Sequence, residues 1–92
     1  MLFRLMILII DLSKKEPCLI LKQDQKKIAS HQWPGLYQLS ETILPQIDQF
    51  LKKNKVKLAD IKEIKVVPSQ ESIVSTRIAQ AVALGLKIDY SL

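Results

Sequence analysis

Few side chains in this sequence could do chemistry, and their positions narrow what it could be. Asp11 closes an apolar run and is the one carboxylate at a predicted strand end. One carboxylate is too few for two-metal chemistry, which needs several oxygen ligands. Asp24, Asp48, Asp60 and Glu63 fall on predicted turns or helix ends and read as solvated charges. His31, the single histidine, stands just beyond a predicted strand near Trp33 and reads as a surface or loop residue. The single cysteine, Cys18, excludes an internal disulfide and a cysteine-based zinc cluster. It has no neighbouring base in sequence and reads as a small apolar strand residue in a reducing compartment. No H-E-x-x-H occurs, so a zinc peptidase has no support. No catalytic residue, metal or cofactor is expected.

Charge leaves two readings. Lysines crowd between Lys52 and Lys65, and the net charge is +5. Such a run usually marks a solvated face. Lysines also hold phosphate backbones without sequence preference.

These residues need elements to position them. A chain of 92 residues makes one domain with one modest core. At 48% hydrophobic and 25% charged it reads as globular rather than disordered. The opening Met1–Ile10 is apolar with Arg4, but the uninterrupted stretch from Leu5 to Ile10 is too short for a signal peptide or a membrane span. A buried strand in a cytoplasmic protein is expected.

Leu5–Asp11 fits a central strand covered on both faces. Pro17–Leu21 and Lys26–Ser30 read as two more strands, with Asp24-Gln25 as their hairpin turn. Trp33-Pro34-Gly35 reads as a loop. A helix is predicted over Leu39–Asn54, capped by Ser40, with Glu41 in its first turn and Lys52 and Lys53 at its end. Leu39, Ile43, Ile47 and Phe50 share its apolar stripe, which Leu44 and Leu51 widen. Pro45 should bend this helix or mark its true start, since an interior proline costs about 3 kcal/mol. Ile61–Val67 reads as a strand, Ser72–Leu86 as a second helix and Lys87–Tyr90 as a last strand. The predicted fold class is α/β, with a mixed sheet of about five strands in the order βββαβαβ and two main helices.

The second helix is apolar around most of its circumference, leaving Thr76, Arg77 and Gln80 in a narrow polar sector. Such a helix is buried on more than one side. Its own sheet can cover one side, and the first helix or a second chain must cover the other. Ala79 and Ala83 would let another helix approach closely. If Ala83 faces a partner, Ala83→Arg should abolish dimerisation and leave a folded monomer.

Several stretches resemble the TsaB/YeaZ family, a branch of the actin-like, ribonuclease H-like superfamily. Ile7-Leu8-Ile9-Ile10-Asp11-Leu12-Ser13 is similar to the family's opening strand, I-L-A-I-D-T-S. Ser40-Glu41-Thr42-Ile43-Leu44-Pro45, with Ile47-Asp48, resembles its first-helix signature, S-E-x-L-L-P-x-I-D, and makes Pro45 a family feature. Leu58-Ala59-Asp60-Ile61 resembles the approach to the next strand, and Arg77-Ile78 through Ala83-Leu84-Gly85-Leu86 the helix after the family's glycine loop. Ser91-Leu92 falls where the family often reads S-S-L. The order and spacing of these motifs carry the resemblance.

The departures are as informative. The family loop G-P-G-S-F-T-G-x-R is here Ser69-Gln70-Glu71-Ser72-Ile73-Val74-Ser75-Thr76-Arg77. Every glycine is gone, and with them the freedom to turn N–H groups toward phosphate. Glu71 adds a negative charge where an anion would sit. Leu12 replaces the family's threonine, and Leu39 its histidine. Asp11 stands where the superfamily holds a catalytic or metal-binding carboxylate, so Asp11, Ser13, Ser72 and Arg77 are remnant nucleotide-site positions.

The resemblance implies that residues 1–92 are one TsaB-like N-terminal domain, with the family's second domain absent. It implies a pseudo-enzyme acting as a partner subunit in tRNA threonylcarbamoyladenosine synthesis, a helix-mediated dimer with a TsaD-like protein or with itself. tRNA would be met only indirectly, through that complex. The interface positions carried over are Glu41, Leu44, Pro45, Asp48 and Leu51 on the first helix and Arg77, Ala79, Ala81 and Ala83 on the second. Two alternatives stay open: a degenerate superfamily member with nucleotide-linked activity, and a self-associating domain unrelated to tRNA.

Overall fold

The protein is described over residues 6–91 in a computed structural model. The predicted strand start at Leu5 and the closing Leu92 lie outside the described residues. Three strands come first: β1 (Met6–Asp11), β2 (Cys18–Gln23) and β3 (Lys26–Gln32). Helix α1 (Leu39–Lys53), strand β4 (Ile61–Val67) and helix α2 (Ile73–Ser91) follow. The sheet order is β3-β2-β1-β4, with β1 antiparallel to β2 and parallel to β4. A parallel neighbour needs a crossover, and α1 supplies it.

Pairing fixes which side chains share a face. Met6, Leu8 and Ile10 are fully buried and lie level with Leu19 and Leu21 of β2 and Ile64 and Val66 of β4. Leu39, Ile43, Ile47 and Phe50 of α1 and Ala79 of α2 join them in one core. Both helices therefore cover the same face. Ile7, Ile9 and Ile20 point to the other face and are half-buried. This corrects the expectation of a first strand covered on both sides. An unbroken apolar run does not record how many helices the chain can lay over it.

The β2–β3 turn has Asp24 at φ 52° and Gln25 at φ 67°. Both central residues are left-handed, the requirement of a type I′ turn that matches strand twist. L-residues resist this conformation by about 1–2 kcal/mol. Gln25→Gly is expected to stabilise the domain by roughly 0.5–1 kcal/mol, the relief less the entropy glycine adds to the unfolded chain. A urea midpoint that falls instead of rising would count against the turn type.

Helix α1 starts where predicted, but Ser40 does not cap it. A short 3-10 turn, Leu36–Gln38, feeds directly into the helix, so Gln38 occupies the cap position without a side-chain hydrogen bond. The Gln38 N–H already donates to Gly35 O at 3.0 Å, and the helix needs no serine to begin. Gly35 sits at φ 110°, a conformation that favours glycine. Pro45 lies within α1 and neither bounds nor starts it. Its missing N–H leaves the Glu41 carbonyl to solvent, and both residues are exposed.

Lys87–Tyr90 was expected to open a fifth strand. The backbone there continues α2 to Ser91, and the described sheet has four strands. No proline or glycine follows Leu86 to stop the helix, and a short apolar run reads equally as strand or helix. No helix among the described residues is long and apolar enough to cross a membrane.

Candidate functional site

Two regions gather the residues singled out by sequence. The first is the end of the sheet where β1 and β4 finish together, Asp11 level with Val67. Ligands in open α/β sheets bind at such strand ends. Here the polar groups serve one another. Asp11 Oδ1 accepts the Ser13 N–H at 2.9 Å and the Ser13 hydroxyl at 2.6 Å, which closes the turn after β1. Ser69 Oγ accepts the N–H groups of Glu71 (3.0 Å) and Ser72 (3.1 Å). Ser72 Oγ accepts the Ser75 N–H at 3.0 Å, the capping bond of α2. The Ser72 hydroxyl also donates to Ser75 Oγ at 2.9 Å, and the Ser75 hydroxyl in turn donates to Leu36 O at 2.7 Å. Thr76 Oγ1 accepts the Ser69 N–H at 2.9 Å. The N–H groups of Glu71, Ser72 and Ser75, which would turn toward an anion, thus bond to serine hydroxyls. Arg77 is exposed on α2 and joins none of these bonds. Ser75, 2% exposed, was missed by sequence reasoning. Its signal was the three-residue spacing of Ser72 and Ser75.

His31 also differs from expectation. It lies within β3, half-buried, its ring stacked near Trp33 (centroids 5.8 Å, 13° between planes) and Phe50 (6.3 Å, 25°). Its Nε2 is 2.6 Å from Gln46 Oε1. It is a packing residue between sheet and α1, because β3 runs two residues further than its apolar pattern showed. Among the described residues no three His, Cys, Asp or Glu side chains are placed to share a metal.

The second region is the two-helix layer. A groove of about 490 Å³ runs between α1 and the end of α2, lined by Leu44, Ile47, Leu51, Val56, Leu58 and Leu86. Asp48 and Lys52 stand at the groove as an exposed ion pair of 3.0 Å. Of the predicted interface positions, Leu44, Asp48 and Leu51 line this groove. Leu44 is 53% exposed, whereas Leu51 is buried. Glu41 and Pro45 are exposed on α1, and Arg77 and Ala81 on α2.

Ala79 and Ala83 are a correction. At 0% and 7% exposure they are closed off inside this chain, where α2 meets β4 and α1. Their small side chains let its own neighbours approach, so neither is free to meet a partner. The open apolar side of α2 is another stripe, with Ile73, Val74 and Leu84 more than half exposed beside Ala81. Tyr37, also exposed, adjoins Ile73 and Val74.

The architecture is an α/β domain of a four-stranded mixed sheet with two helices on one face. No family model matches the sequence, and no curated protein does. Solved structures match the fold. YeaZ from Pseudomonas aeruginosa superposes with a TM-score of 0.78 at 22% identity, over 94% of this chain and 40% of that one. A protein described as having similarity to peptidase YeaZ from Pseudomonas aeruginosa gives 0.78, 22%, 94% and 39% in the same terms. The fold is YeaZ-like, and the chain spans about two-fifths of the length of these relatives.

Proposed function

We infer that the chain is a TsaB/YeaZ-like N-terminal domain, ribonuclease H-like in ancestry and cytoplasmic. It acts as a non-catalytic partner subunit in tRNA threonylcarbamoyladenosine synthesis. Its two-helix layer pairs with the equivalent helices of a TsaD-like protein or of a second copy. The observation that carries this reading is apolar surface left open on both helices: Leu44 of α1 is 53% exposed at an apolar groove, and Leu84 is 61% exposed on the stripe of α2 that also holds Ile73 and Val74. Exposed apolar surface of this kind marks interaction sites. The resemblance of the sequence motifs is the ground for naming a TsaD-like partner, and the YeaZ-like fold is consistent with it. The capped start of α2 and the Asp11–Ser13 turn favour a partner role over nucleotide chemistry.

The test is co-purification with the TsaD homologue of the same organism, with sedimentation to read self-association. Leu44→Asp and Leu84→Asp are expected to weaken pairing at least tenfold, about 1.4 kcal/mol, with an unchanged circular dichroism spectrum. Wild-type protein that binds neither a TsaD homologue nor itself at high concentration would sink the reading. Saturable ATP binding lost in Asp11→Ala would favour the nucleotide alternative.

A further inference from the structure

The sheet order leaves β4 at one edge, paired only to β1. Val67 O accepts the Leu12 N–H at 2.9 Å, so the backbone groups of Val67 point inward, toward β1. Along a strand these groups point to alternate sides, residue by residue. The register with β1 is regular from Glu63 to Val67. Glu63 and Lys65 therefore share the inward direction, and Ile64 and Val66 point their N–H and C=O groups outward. Among the described residues nothing pairs with that outer edge. The irregularity in the β1–β4 pairing falls before Glu63, and Pro68 follows the strand.

This edge carries one charge of each sign on a single face. Glu63 is level with Ile7 and Lys65 with Ile9, on the face that the helices do not cover. Among the described residues neither makes an ion pair. Lysines alone on an edge strand discourage any pairing. A glutamate and a lysine two residues apart instead select one register. Backbone direction restricts the choices first. Two antiparallel copies of β4 bond only where outward residues face outward residues. If Glu63 faces Glu63, or Lys65 faces Lys65, like charges meet at the centre. If Ile64 faces Ile64, Glu63 of each copy lies opposite Lys65 of the other, and β4 overlaps along its whole length. Glu63 and Lys65 are then non-hydrogen-bonded pairs, with Cα atoms about 4.5 Å apart and side chains at their closest.

We propose that β4 pairs antiparallel with β4 of a second copy, about a two-fold axis at Ile64, joining two four-stranded sheets into one. The occupant is a second copy because the charge order of this edge is its own complement when reversed. A patch that meets itself across a two-fold axis is the common form of self-association. Opposite charges directly across two strands stabilise the pair, and like charges there destabilise it. Facing residues in this register lie on the same sheet face, so both helical layers cover the same side. The surface is a strand edge rather than the α1–α2 layer, so the inference does not rest on helix pairing.

The experiment is sedimentation equilibrium of the whole chain, with circular dichroism to confirm that each variant folds. Lys65→Glu sets carboxylates opposite each other at both pairs and should weaken the dimer about tenfold. Glu63→Lys sets lysines opposite each other and should do the same. The double variant, Glu63→Lys with Lys65→Glu, restores opposite charges in the same register and should return to within about threefold of wild type. Leu44→Asp, which disables helix pairing, should leave the strand dimer in place. Hydrogen exchange of the Ile64 and Val66 amides should slow as protein concentration rises. A chain that stays monomeric up to about 1 mM overturns the proposal. So does a dimer lost in Leu44→Asp and unmoved by either charge reversal, or a double variant as weak as the single ones. Ile64 and Val66 amides protected only when another protein is added identify a foreign strand and overturn self-pairing. Leu44→Asp reads the helices and charge reversal reads the strand, so the two proposals fail separately.

Discussion

Ala79→Arg is expected to unfold the domain, leaving no cooperative thermal transition and a collapsed far-ultraviolet spectrum. Ala79 is fully buried in the core formed by β1, β2 and α1. An arginine there overpacks the α2 contact, at about 1–3 kcal/mol. It also leaves a buried charge without a partner, a further penalty of about 3–5 kcal/mol by analogy with broken buried pairs. The sum rivals the whole stability of a small domain, about 5–15 kcal/mol. Ala83→Arg, at 7% exposure, moves in the same direction. Ala81→Arg is the control, because Ala81 is exposed two residues away on the same element. It should melt with the wild type. An Ala79→Arg protein that melts within a few degrees of wild type would reverse the assigned orientation of α2.

Trp33→Ala should remove about 3–5 kcal/mol, read as a lower urea midpoint with an unchanged slope. Trp33 is 4% exposed and follows directly on β3. Its Nε1–H donates to Thr42 Oγ1 at 3.0 Å, which ties the end of the sheet to the first turns of α1. Its ring stacks on His31. Trp33→Phe keeps most of the apolar area and loses the hydrogen bond, so it should cost about 1–2 kcal/mol. A loss below 1 kcal/mol in Trp33→Ala would mean that the indole is not part of the core.

The helix stripe Leu39, Ile43, Ile47 and Phe50 and the strand Ile61–Val67 were legible because each is a local pattern. The helix stripe recurs every three to four residues, and Ile61–Val67, which alternates poorly, is marked by its β-branched Ile and Val. Asp24-Gln25 was legible as a turn by its place between two strand patterns, although its left-handed geometry was not. The fate of Lys87–Tyr90 was not legible, since four residues with one charge at each end of Lys87-Ile88-Asp89 have no distinctive period.

The candidate site divides in the same way. The YeaZ-like identity of the motifs and the apolar excess of α2 follow from residue order. The inward side of α2 does not, because a helix apolar around most of its circumference gives its wheel no preferred direction. Packing against β4 and α1 chose Ala79 and Ala83 for the interior and left Val74 and Leu84 outside. Sequence by itself determined the two helices and four strands up to Leu86 and the amphipathic character of α1, which depend on spacings of two to four residues. Tertiary structure decided which faces close on each other, because that depends on contacts between residues tens of positions apart.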